Sequence, residues 1–158
     1  DALNWLCALL RLLPEREPHP ELYAAAEVAA DHLTDPRSAR ALVARIELAT
    51  LEALGFGLDL SCCAATGSRE NLVYVSPKSG RAVSREAGAP WDGRLLALPA
   101  FLTGDAGEPT LQQIEEGLRL TGYFLERDVF APRGLAAPLA RAAFIARGSP
   151  PDQGHTRR

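Results

Sequence analysis

The sequence predicts a mainly α-helical fold: a helical bundle carrying one small inserted β-ribbon that resembles a degenerate zinc knuckle. Three observations predict it. Apolar residues recur at helical spacing through the first 55 residues and again from Leu111 to Val129. Between them, Leu72-Val73-Tyr74-Val75 and the shorter Ala82-Val83 are β-prone, and Ser76-Pro77-Lys78-Ser79-Gly80 has the chemistry of a hairpin loop. Finally, Cys63, Thr66, Ser84 and Ala87 have the spacing of two facing C-x-x-C pairs from which three thiols are missing. A tetrahedral Zn²⁺ needs four soft or borderline ligands, so neither a metal nor any other cofactor is expected. A module without its zinc forgoes roughly 10 to 16 kcal/mol and has to be carried by packing on a larger body.

In chain order, Leu3, Leu6, Leu10 and Leu13 mark one stripe of a first helix, while Trp5, Leu9 and Leu12 fill its opposite side. A helix apolar all round is expected to be buried all round. Pro14 ends it, and Pro18 and Pro20, with His19 between, prepare the next start. Leu22, Ala25, Ala26, Ala29 and Leu33 give a second helix whose small residues permit a close neighbour. Asp35 is expected to cap, and Pro36 to open, a third helix that runs to Leu54 and stops at Gly55. Leu42, Ile46, Ala49 and Ala53 line its apolar stripe, widened by Leu51 and Leu54. After the ribbon, Leu111, Ile114, Leu118, Leu125 and Val129 share one helical face with Phe124 beside it, and Gly117 and Gly122 weaken that helix. A short helix from Pro138 to Ala146 follows. The expected organisation is a single helical domain at residues 1–147, with the knuckle-like insertion at 59–88, and a tail at 148–158 whose composition predicts disorder.

Composition narrows the classes of function. The chain has no methionine, so it is expected to be a fragment or a processed product. Three cysteines, two of them adjacent, make no disulfide framework, which points to a reducing cytoplasm. No signal peptide is recognisable and no apolar run approaches the roughly 20 residues of a membrane span, so no membrane partner is expected. Net charge is −3, with acidic stretches at 1–35 and 105–128 and basic character at 133–158. The acidic stretches repel a phosphate backbone, and this chain by itself is expected to bind DNA weakly.

Candidate chemistry is sparse. A catalytic cysteine needs a base to form thiolate, and His19, His32 and His155 sit in a loop, at a helix end and in the tail, none in a motif that brings it to Cys62 or Cys63. Gly55-Phe56-Gly57 and Gly104-Asp105-Ala106-Gly107 lack the strand–loop–helix pattern of a phosphate loop and read as a helix stop and a surface turn. Glu115 and Glu116 are adjacent on a helix and point about 100° apart, so they cannot work as a facing acid–base pair. No catalytic residue is expected.

Arg45-Ile46-Glu47-Leu48, followed by Leu51, Leu54, Gly55-Phe56-Gly57, Leu58, Cys63, Gly67, Tyr74-Val75-Ser76 and Gly80, resembles the carboxy-terminal region of the bacterial RecO family of DNA repair and recombination proteins. The segments Leu13 to Tyr23 and Leu120-Thr121-Gly122-Tyr123-Phe124-Leu125 resemble its alphaproteobacterial form, and the resemblance spans residues 3 to about 145. It implies a non-enzymatic recombination mediator of the RecF pathway, cytoplasmic and nucleoid-associated. Such a mediator binds and anneals single-stranded DNA, pairs with RecR and recognises the acidic tail of the single-strand-binding protein. The family architecture is an amino-terminal OB-fold, a helical bundle and a knuckle-like insertion. This chain is expected to lack the OB-fold, and three knuckle thiols are replaced.

Under that resemblance, Arg45 with Arg37 or Arg40, next to an apolar notch at Leu48, is expected to meet the carboxylates of the acidic tail. Without a partner, Arg45 would pair with Glu47. Lys78, Arg81 and Arg85 ride on the expected ribbon, where alternation lets Arg81 and Arg85 share a face and guide DNA, with Tyr74 as the nearby aromatic. The alternatives are a cysteine-dependent enzyme acting through Cys63 and a purely structural helical scaffold.

Overall fold

The structure, a computed structural model, describes residues 2–104, 107–136 and 138–148. Helices α1 (Ala2–Arg11), α2 (Pro20–Asp31) and α3 (Pro36–Ala53) form the first half of a bundle. A hairpin of β1 (Leu72–Val75) and β2 (Ala82–Ser84) leads into the single-turn α4 (Arg85–Gly88), and β3 (Leu96–Ala97) completes a sheet of order β2-β1-β3. Helix α5 (Leu111–Phe124) continues into a π-helical turn at Leu125–Phe130, and α6 (Leu139–Gly148) closes the described chain. α3 lies at the centre, packed on α2 and α5, while α6 rests on α1 and α3. The core joins Trp5, Leu9, Val43, Leu51, Val75, Ile114, Leu120, Phe124 and Val129.

Helix boundaries follow local chemistry. The Asp35 carboxylate accepts from Arg37 N at 3.2 Å and from Ser38 Oγ at 2.5 Å, and Pro36 opens α3. At the other end Gly55 adopts φ +86°, so that Gly55 N reaches Glu52 O and Phe56 N reaches Leu51 O. That pair of bonds is a Schellman stop, which needs the left-handed conformation glycine supplies. α5 begins with a capping box: Thr110 Oγ1 accepts from Gln113 N at 3.1 Å and Gln113 Oε1 accepts from Thr110 N at 2.9 Å.

Several expectations are corrected. α1 is not buried all round: Trp5, Leu6 and Leu9 are buried, but Leu3 is 47% exposed, because packing partners lie on one side of the helix only. Strand β3 and the 3₁₀ turns at Ala89–Arg94 and Ala100–Thr103 carry too few residues to leave a periodic signal. Gly117 and Gly122 do not break α5. A Cβ on Gly117 would meet Phe101 Cζ at 2.8 Å, and one on Gly122 would meet the Arg141 guanidinium at 2.8 Å. Both glycines make room for side chains that cross the helix. The proposed surface turn at Gly104–Gly107 includes residues 105 and 106, and the tail beyond Gly148 spans 149–158; both lie outside the described residues.

The tight fit at Gly117 reverses an ordinary rule. Gly→Ala in a helix normally stabilises by about 1 kcal/mol. Here Gly117→Ala is expected to destabilise by about 1 to 3 kcal/mol, because the buried Phe101 ring has to shift. Urea denaturation reads the sign directly.

Candidate partner and nucleic-acid interface

Residues 37, 41, 45 and 48 recur at helical spacing along α3, and the structure opens a cleft beside this stripe. The cleft holds about 260 Å³ and is lined by Val28 of α2 and His32 at its C-cap, by Arg37, Ala41, Leu42 and Arg45 of α3, and by Glu108 and Pro109. Arg37 donates through both Nε (3.1 Å) and Nη2 (2.5 Å) to Pro109 O, so its fork is spent on anchoring the wall opposite α3. Arg45 donates only Nε, to Phe101 O at 3.2 Å, and its guanidinium lies 5.5 Å from the Phe101 ring centroid. Among the described residues that leaves both Nη groups of an exposed arginine, held over an aromatic ring, at the edge of an apolar cleft.

The other two candidates separate from this pair. Arg40 is 2% exposed and lies on the opposite side of α3. Leu48 lines an adjoining groove with Glu52, Leu58, Leu60, Leu102 and Thr103. The sequence stripe therefore contributes Arg37 and Arg45 to one cleft, Leu48 to the next, and Arg40 to neither.

Glu47 does not pair with Arg45. Two residues apart on a helix, they face different ways. Glu47 is fully buried, and its carboxylate accepts from Trp5 Nε1 (2.8 Å), Thr121 Oγ1 (2.5 Å), Arg141 Nε (2.9 Å) and Arg141 Nη2 (3.1 Å). Arg141 Nη2 also donates to Leu118 O at 2.7 Å. One carboxylate thus ties α1, α3, α5 and α6 together, a polar core that gives Arg45-Ile46-Glu47 a structural meaning for its acid and leaves its arginine outside.

On the ribbon, Lys78 is exposed at the hairpin loop. Arg81 lies 3.9 Å from Asp59, beside the bridge that pairs Asp59 with Arg81. Arg85 does not share a strand face with Arg81, because β2 ends at Ser84 and Arg85 opens α4. A second aromatic, Trp91, lies in the 3₁₀ turn after α4 and is 55% exposed, with Arg94 5.9 Å from its ring centroid. A residue the sequence did not single out fixes the loop: Arg127 Nη1 donates to Pro77 O and, at 3.3 Å, to Lys78 O, while its guanidinium sits 4.8 Å from the Phe124 ring and pairs with Asp128 at 2.8 Å. Its proximity to Asp128 in sequence disguised a contact made across the fold.

The knuckle positions do converge. Cys63 is 1% exposed and its Sγ accepts from Ser84 N at 3.2 Å. The Ser84 hydroxyl accepts from Ala87 N at 3.3 Å as the cap of α4. Burial pushes the Cys63 thiol up, but hydrogen bonds from Thr66 and Ser84 outweigh it and bring the thiol from 9.0 to about 6. The donor set is one sulfur with two hydroxyls, and among the described residues no group of three or more His, Cys, Asp or Glu side chains could hold a metal ion. His19 and His32 flank α2 as its N-cap and C-cap residues, and His155 lies outside the described residues. Among the described residues no helix is long and apolar enough to cross a membrane.

Against known proteins, residues 2–135 match the family model described as recombination protein O, C terminal. The chain is 61% identical over 147 residues to a protein named DNA repair protein RecO from Methylobacterium nodulans, a match covering 90% of this chain and 60% of that relative. Proteins of the same name from Beijerinckia indica and Chelativorans are 58% and 60% identical, covering 92% and 91% of this chain and 59% and 58% of theirs. No solved structure matches. The chain spans about 60% of the length of these curated relatives. With the family's carboxy-terminal model matched over most of the chain and relatives at this level of identity, the protein belongs to the recombination protein O (RecO) family, in its carboxy-terminal part.

Proposed function

We propose that this chain is the interaction part of a DNA repair mediator of the RecF pathway, binding single-stranded DNA, RecR and the acidic tail of the single-strand-binding protein while making and breaking no bonds itself. It would work in the cytoplasm on the nucleoid. The cleft beside α3 carries this reading: an apolar notch of Val28, Ala41, Leu42 and Pro109 with the Arg45 guanidinium at its edge matches a short peptide that ends in carboxylates beside an apolar side chain. Arg37 shapes the wall, Leu48 extends the apolar surface, and Arg40 has no part in this cleft. The relatives' name, DNA repair protein, supports the same role. Burial of the Cys63 sulfur speaks against the cysteine-enzyme alternative, since a nucleophile has to reach its substrate.

Titration of a labelled acidic tail peptide tests this. Arg45→Ala is expected to weaken binding by about 1.5 to 3 kcal/mol, the range of a hydrogen bond to a charged group. Arg45→Lys should recover only part of it, because an ammonium cannot form the paired fork. Unchanged affinity in a folded Arg45→Ala protein removes the cleft from the proposal.

A further inference from the structure

On the far side of α3 from the peptide cleft, two cavities run together. One, of about 220 Å³, is lined by Leu33, Arg40, Phe144 and Arg147 among others; the next, of about 250 Å³, by Arg40, Glu115, Arg119 and Arg141. Arg40 lines both, so they form one groove bounded by α3, α5 and α6. Four guanidinium groups and a single carboxylate face it, in a chain whose net charge is −3.

The arginines divide into two kinds. Arg40 is 2% exposed, and Arg141 is held by Glu47 and Leu118 O, so both are fixed in the groove floor. Arg119 and Arg147 are exposed, and among the described residues neither has a carboxylate within ion-pair distance. Glu47 offsets Arg141 and Glu115 lies among the lining, so Arg40, Arg119 and Arg147 leave this surface with an excess of positive charge. Arginines spread over two adjoining cavities suit a polymer of anions better than a single ion, and the exposed Arg119 and Arg147 can each grip a phosphate through two N–H groups.

We propose that this groove carries the phosphate backbone of a single-stranded nucleic acid, with Arg119 and Arg147 as its outer contacts. The inference rests on the reading above that the protein binds single-stranded DNA, and it moves the main DNA track away from the hairpin. On the hairpin Arg81 is already offset by Asp59. One strand can lay its phosphates along the groove and leave its bases outward. Sequence-independent binding follows, because the contacts go to phosphate.

Fluorescence anisotropy of a labelled oligothymidylate on the full chain tests the groove. Arg119→Gln with Arg147→Gln is expected to weaken binding about tenfold at low salt and to flatten the slope of log K against log salt by about 1.4, two single-strand phosphate contacts. Arg119→Lys with Arg147→Lys should keep the slope, which shows that charge and not a local rearrangement is being read. If the chain binds the oligonucleotide and the glutamine pair leaves affinity and slope unchanged, the groove is overturned while the mediator reading stands. If the unaltered chain does not bind the oligonucleotide, both fall. If the glutamine pair weakens an acidic peptide and spares the oligonucleotide, the groove is a peptide site and this proposal is wrong.

Discussion

Arg141→Ala is expected to destabilise the protein by about 3 to 5 kcal/mol, the cost of leaving a buried charge without its partner. Glu47 has no exposure, and removing the guanidinium strips two of its four hydrogen bonds and its compensating charge. Trp5 and Thr121 would remain, but both are neutral donors. A loss of this size lowers Tm by on the order of 10 °C in a domain this long. The double variant Glu47→Gln with Arg141→Met should recover much of it, since exchanging a buried pair for neutral groups of similar volume is often close to neutral. Equilibrium denaturation of the protein, of Glu47→Gln, of Arg141→Met and of the double variant gives the coupling between the two sites. A cost below about 1 kcal/mol for Arg141→Ala would mean that Glu47 finds water or a proton instead, and that the carboxylate is not the tie between four helices.

The same hub marks the limit of what the sequence discloses. Asp35-Pro36 and Gly55 announce the ends of α3 because a cap and a left-handed stop are local demands, met within three residues. The hairpin was legible for the same reason, and so was the convergence of Cys63, Thr66, Ser84 and Ala87, which spacing alone encodes. Glu47 was not, because its partners lie 42, 74 and 94 residues away and nothing near it in the chain states its burial. Gly122 looked like a helix weakness and is the gap through which Arg141 reaches Glu47. Of the candidate interface, the α3 stripe was visible as a periodicity, yet periodicity places Arg40 near Arg37 in sequence without telling which side of α3 faces solvent. Arg81 and Arg85 were assigned to one strand because the end of β2 at Ser84 is set by that side chain capping α4.

Stability is expected to depend on pH through Cys63. Its thiol sits at about 6 in the fold against an ordinary 9.0, so the folded state favours thiolate. A depressed value contributes stability that is fully present above about 9, declines as pH falls, and is gone below about 6. The contribution is at most about 4 kcal/mol. Physically, the thiolate is buried, a position that would ordinarily be costly. Donors from Thr66 and Ser84 take the place of the cation that a zinc knuckle would supply. Chemical denaturation of the protein and of Cys63→Ala across that window should give a stability difference that grows with pH. Thr66→Val removes one donor, so it should raise the thiol and narrow the window from its acidic side. A pH-independent difference between the protein and Cys63→Ala would show that the sulfur stays a neutral thiol, packed as an apolar atom. In that case the degenerate knuckle would be held by the β1–β2 pairing and its contacts alone.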